Sequence, residues 1–349
     1  LYMSIPDKWE DAVKEHQFLI KENPYRVDSY KALRKIYFDS RQYDKAWCLC
    51  ATLNFLQKAD EEEKQFFEQY HTKGMIRAQA RLDNERWIKD LFHQDEDVYI
   101  GKIFETILPA VRSFKVQPHK AFKLRKKNKH DPATSTIMFA KTFAYVAQVI
   151  NLPFMPQLYL EPDQPMGLQY AITDPAASVV GQQLLSGFSP QELTFEIGRH
   201  LAYYRGEHYI RWVEPRPEGL RLLLLAAIKI AEPGFETPPD PSGVLQQTVK
   251  TLKSQLQTAA KEQLALLVRK FIQNRGEADI EKWIRSVELT ACRAGRLLCN
   301  DLHAAARILE KSSSFVGDLP PREKIEALVR FSVSEEYFRL REFLDVEVR

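Results

Sequence analysis

The sequence predicts a mostly α-helical chain carrying one small β-sheet. Three observations lead there. Glycine is scarce, 13 residues in 349, and runs of Ala, Glu, Lys, Leu, Arg and Gln dominate; these residues lose little on entering a helix. The short, β-branched segments bounded by Pro, Gly and Asp fall together between Pro156 and Gln183. The length exceeds what one hydrophobic core usually covers, which predicts two domains.

The composition is that of a globular protein, 44% hydrophobic and 28% charged. A net charge of +3 is too small to point to nucleic acid by itself. No apolar run approaches the ~20 residues that cross a bilayer. The longest are Leu220–Ile228 and Phe143–Met155. The four cysteines, Cys48, Cys50, Cys292 and Cys299, form neither a disulfide framework nor a C-x-x-C zinc pattern. They read as thiols of a reducing cytoplasm.

The first helices carry a repeat. Trp9 and Tyr43 are 34 residues apart, as are Ala12 and Ala46, and Leu19 and Leu53. Tyr30, Leu33, Tyr37 and Ala46 stand at positions 4, 7, 11 and 20 of such a unit, and Ala12 and Pro24 at 20 and 32 of the preceding one. The small residue is needed where two helices cross closely; the large ones fill the space beside it. Residues 5–80 therefore resemble tetratricopeptide repeats, with Arg34 and Lys58 standing where that family has Gly and Pro. The segment after Asp60 reads as a solvated capping helix. The resemblance implies a first domain over 1–85 with a concave binding surface, and Tyr30 and Tyr37 as contact residues.

Asp95–Phe114 reads as a helix. Lys115–Lys129 follows with seven basic residues and reads as a solvated loop. A rival reading is a contact to anionic lipid or nucleic acid. Thr134–Asn151 is again helical. The sheet segments come next, and helices then continue to the C-terminus, broken at 213–219 and 232–243.

Ser189-Pro190-Gln191-Glu192 is a capping box with Pro at the first helical position. It predicts a helix from Ser189 to about Arg205, with Leu193, Ile197, Leu201 and Tyr204 as its apolar stripe. In this helix Phe195-Glu196-Ile197-Gly198-Arg199 falls in the register of H-E-x-x-H. That motif sets two His one turn apart on a zinc ion, with the Glu activating water. Some ninety residues later comes Glu288-Leu289-Thr290-Ala291-Cys292.

These two segments, in this order, resemble the E-containing zinc helix and the E-x-x-A-D helix of HtpX-like zinc metallopeptidases. The resemblance covers Met155–Ala305. It implies a zincin-like α+β domain over 86–349, with its core at 134–305 and C-terminal helices at 306–349. Carried over position by position, Phe195 and Arg199 take the two His places and Glu196 the general-base place. Glu288 takes the remaining ligand place and Cys292 that of a supporting acid. One carboxylate cannot hold zinc, so the resemblance implies a pseudoenzyme with no metal and no cofactor. Two buried carboxylates without a metal need another cation. Arg199 is expected to pair with Glu288 and Glu196, and Phe195 to fill the vacated space.

The expected role is a bacterial, cytoplasmic scaffold that binds a protein or peptide rather than nucleic acid. The expected contacts are Tyr30 and Tyr37 together with Arg199, His200 and Tyr203. A rival reading keeps a metal on His200, Glu288 and Cys292 as an atypical metallopeptidase.

Overall fold

The computed structural model describes residues 9–72, 74–237, 239–274, 279–312, 315 and 317–349. Residues 5–8 of the expected repeat region lie outside the described residues.

Four helices open the chain: α1 (Trp9–Glu22), α2 (Val27–Asp39), α3 (Tyr43–Phe55) and α4 (Glu61–Tyr70). Each packs on the next. Tyr30, Leu33, Tyr37 and Ala46, the residues of the repeat pattern, are all buried between them. A capping box of Asp60 and Glu63 starts α4. A short helix, α5 (Asn84–Arg86), then leads through a π-turn (Trp87–Leu91) into α6 (Val98–Lys115), capped by Asp97.

The sheet has four strands: β1 (Lys129–His130), β2 (Gln157–Glu161), β3 (Leu168–Ala171) and β4 (Ala177–Gly181). Their order is β1-β2-β4-β3, with β2 and β4 parallel and the outer pairs antiparallel. Every residue of the inner strand β4 is buried. Central strands covered on both faces read as continuous apolar runs, whereas edge strands alternate. The three expected strands are present. The fourth, β1, falls inside the basic segment expected as a loop; two residues are too few to show a strand period.

The other helices are α7 (Met138–Val149), α8 (Pro190–Ala202), α9 (Gly206–Val213), α10 (Pro217–Ala231), α11 (Val244–Gln255), α12 (Thr258–Gln273), α13 (Ile280–Cys299), α14 (Leu302–Lys311), α15 (Pro321–Phe331) and α16 (Glu335–Phe343). The helix expected to reach Arg205 stops at Ala202, because Arg205 and Gly206 open a separate helix. No helix among the described residues is long and apolar enough to cross a membrane.

One apolar core runs from Val13 in α1 to Leu344 after α16, so the boundary near residue 85 falls inside a continuous core. The C-terminal helices close on the N-terminal ones. Arg341 binds both oxygens of the buried Asp44, at 2.7 and 2.8 Å, and lies 5.1 Å from the Trp47 ring centroid. Glu335 accepts hydrogen bonds from Gln17 and Tyr37 and pairs with Lys45 at 3.0 Å.

The centre of the molecule is the crossing of α8 and α13. The two helices touch at Gly198 and Gly295. A Cβ on Gly198 would lie 2.9 Å from the Gly295 Cα, and one on Gly295 would lie 2.5 Å from the Phe195 carbonyl oxygen. Glycine at both positions lets the backbones meet, which brings Glu196 and Arg199 of α8 over Glu288 of α13.

Candidate functional site

The site is built around Glu288, whose side chain is 1% exposed. One oxygen, Oε1, accepts from Nε and Nη2 of Arg199 at 2.9 and 2.7 Å. The Lys324 ammonium approaches the same oxygen at 3.1 Å. The other oxygen, Oε2, accepts from the Tyr203 hydroxyl at 2.6 Å. The Cys292 thiol, one turn along α13, reaches Oε1 at 3.5 Å. Burial pushes the Glu288 carboxyl up, but Arg199, Lys324 and the Tyr203 hydroxyl outweigh it and hold the group below its ordinary value.

Lys324 is also buried and binds Asp318 at 2.6 Å. Two fixed cations thus stand on one carboxylate, with a second carboxylate behind them. Burial and the Glu288 charge together raise the Asp318 pKa.

Arg199 lies 3.6 Å from Glu196 on the same helix face. This contact is long, and Oε2 of Glu196 has no hydrogen-bond partner. Burial is the main reason that the Glu196 pKa is raised, with Arg199 only partly offsetting it. The sequence-based pairing of Arg199 with Glu288 therefore matches the geometry, while Glu196 holds a weaker share.

Phe195 does not enter the ion-pair cluster. It is fully buried in a separate apolar cluster with Cys292, Cys299, Leu302, Ala305, Ile308, Leu309 and Leu328. It fills the space beneath Glu288 between α8, α13 and α14. Burial and the neighbouring Glu288 push the Cys292 thiol well above its ordinary pKa, so it stays protonated beside Glu288.

His200 turns to the sheet. One ring nitrogen lies 2.8 Å from the Ser178 hydroxyl, and the ring stacks on Tyr170 at 3.9 Å between centroids. Burial and the Arg199 charge drive its pKa well down, so it stays neutral. The three residues of the metal-keeping reading are not brought together. No group of three His, Cys, Asp or Glu side chains among the described residues is placed to hold a metal ion. The residues do not fit zinc on physical grounds as well. Glu288 is already held by two cations, Arg199 and Lys324, which a metal ion would have to displace.

Neither protein-family models nor curated proteins nor solved structures gave a match to the chain. Any functional reading therefore stands on the site itself.

Above the ion pairs lies a cleft of about 740 Å³. One wall is β3 with the preceding Gly167. The opposite wall is α14 with Lys311, Ser312 and Phe315. Glu196, Arg199, His200 and Tyr203 of α8 line the cleft between these walls, and Trp212 of α9 closes one side. Trp212 stacks on Tyr170 and meets Phe315 edge-on. Its indole Nε1 has no hydrogen-bond partner. Arg199, His200 and Tyr203 are thus cleft residues, though each side chain is also tied to a partner within the protein.

Tyr30 and Tyr37 are elsewhere and do not form a binding surface. Tyr30 is buried, and its hydroxyl donates to the Pro24 carbonyl. Tyr37 is buried against Phe338 and donates to Glu335. Where a partner was expected, Tyr37 meets this chain's own C-terminal helix α16.

Sequence reasoning missed Lys324 and Asp318. A signal for Lys324 was present. Lys324, Leu328 and Phe331 recur at helical spacing on the buried face of α15, so a lysine sits on an apolar stripe. A charge in that position calls for a buried partner.

Proposed function

We propose that this chain is a non-catalytic, peptide-binding scaffold. It combines tetratricopeptide-like helices with a zincin-like domain whose metal site has been replaced by an internal ion-pair cluster. The observation that carries the reading is the clamping of Glu288 by Arg199 and Lys324 directly beneath an open cleft. A metal would have to displace Arg199 and Lys324 from this carboxylate, and Glu196 would activate water only beside such a metal. The retained shape of the cleft is what remains to be used.

Two features of the cleft suit an extended peptide. Strand β3 is the last of the sheet, so its outer edge is unpaired. The Gly181 amide donates to the Gly167 carbonyl. In antiparallel alternation this turns the backbone groups of Leu168 and Tyr170 outward, ready to pair with an added strand. Aromatic and apolar walls from Leu184, Phe188, Trp212 and Phe315 offer room for a side chain.

The test is a peptide-array or display selection with the purified chain, compared with Gln183→Trp and Lys311→Glu. Both residues line the cleft and are exposed, so neither change disturbs the core. Selected peptides should bind the wild-type chain and lose at least tenfold in affinity on both variants. Peptides that bind the variants equally well would place the binding surface elsewhere. Hydrolysis of any selected peptide would overturn the non-catalytic reading.

A further inference from the structure

The segment 115–130 holds seven basic residues and no acidic one. The structure divides them into two kinds. Lys115 and Arg125 are tied into the fold. Lys115 pairs with the buried Glu214 at 2.6 Å. Arg125 binds Glu161 through Nε and Nη2 at 3.0 and 2.7 Å, and Asp163 at 2.9 Å. Glu161 is fully buried at the end of β2, and it also accepts from the Arg125 amide and from Asn128. It therefore pins the turn Lys126–Asn128 against the sheet, while Phe122 of the preceding turn, His119–Phe122, packs on the sheet. The remaining five, Lys120, Lys123, Lys126, Lys127 and Lys129, are all exposed. None has an ion-pair partner among the described residues.

A solvated loop does not need a buried carboxylate to fix its shape. Nor does guarding a sheet edge account for these lysines, because only Lys129 lies on the strand; the other four are in the turns. Five uncompensated charges within ten residues exceed the net charge of the whole chain, +3.

We propose that this pinned loop is a docking face for an anionic lipid surface. The favoured occupant follows from the apolar residues. Phe122 and Leu124, the ones interleaved with the lysines, turn inward onto Tyr159, Ala171 and Val179. Phe122, the one Phe, Tyr or Trp of the loop, packs on the sheet, whereas single-stranded nucleic acid needs such rings presented for stacking. Exposed apolar side chains instead flank the loop in the chain: Phe114 before it, 41% exposed, and Ile137 and Met138 after it, 39% and 60% exposed. Basic charge bordered by exposed apolar side chains suits the headgroup region of a bilayer.

The experiment is sedimentation of the full chain with vesicles of phosphatidylglycerol and phosphatidylcholine, and with vesicles of phosphatidylcholine alone. The variant replaces all five lysines with alanine; since all are exposed, the fold should persist, which circular dichroism checks. The wild-type chain should bind the anionic vesicles, release them between 50 and 300 mM salt, as ~10 Å screening lengths dictate, and ignore the neutral ones. Each lysine lost should weaken binding about fivefold, so the five-lysine variant should not sediment. Failure to bind anionic vesicles, equal binding by the folded variant, or tighter binding to RNA or duplex DNA than to the vesicles would overturn the proposal.

Discussion

Replacing Arg199 with methionine removes the main cation on Glu288 while keeping much of the side chain's volume. The two nitrogen contacts at 2.9 and 2.7 Å disappear, together with the charge 3.6 Å from Glu196. Glu288 keeps Lys324 at 3.1 Å and the Tyr203 hydroxyl at 2.6 Å. Removing one partner of a buried pair costs about 3–5 kcal/mol. The surviving partners put this case near the lower end, about 3 kcal/mol. With a urea slope of about 3 kcal/mol per molar, the unfolding midpoint should fall by about 1 M. Tryptophan fluorescence reads the transition, because Trp47, Trp87 and Trp283 are buried. Glu288→Gln completes a double-mutant cycle, in which a real pair shows a coupling of about 1–3 kcal/mol. A cost for Arg199→Met below about 0.5 kcal/mol, or a cycle additive within that margin, would refute the argument that this pair replaces a metal.

Gly295→Ala should destabilise by about 1–3 kcal/mol in the same assay, because its Cβ would meet the Phe195 carbonyl oxygen at 2.5 Å. Helix propensity alone gives the opposite sign, about 1 kcal/mol of stabilisation. His200 is held neutral in the folded chain, so its stabilisation is present above the unfolded pKa of about 6.5 and is lost as pH falls below it. Between pH 7.5 and 5.5 the wild type should therefore lose roughly 1.4 kcal/mol more than His200→Gln; identical pH profiles would show that the ring titrates freely. Asp44→Ala strands the buried Arg341 and should cost about 3–5 kcal/mol, with proteolytic cleavage appearing first near the C-terminus. Unchanged proteolysis would show that the C-terminal helices are held without this pair.

Much of the helical order was legible because its signals are local. The capping box at Ser189, the repeat spacing of Tyr30, Leu33, Tyr37 and Ala46, and the clustering of strand-like segments each depend on a few neighbouring residues. Arg199 could be assigned to Glu288 because the resemblance to a zinc-peptidase helix pair implied two carboxylates side by side, which need a cation between them. What escaped was long-range. Lys324 reaches Glu288 from a helix that gave no motif, and Glu335 and Arg341 cover Tyr37 and Asp44 across almost the whole chain. A repeat pattern specifies helix packing and says nothing of which later segment lies over it, so it gives no sign that α16 covers Tyr37. Strand β1 was missed for want of length.

Titration of the chelator-treated chain with zinc in a calorimeter tests the central claim most directly. With Arg199 and Lys324 both on Glu288, no saturable binding should be seen at micromolar zinc, and Glu288→Gln should change nothing in that trace. One zinc bound per chain with submicromolar affinity, abolished by Glu288→Gln, would show that a metal rather than an ion-pair cluster organises the site.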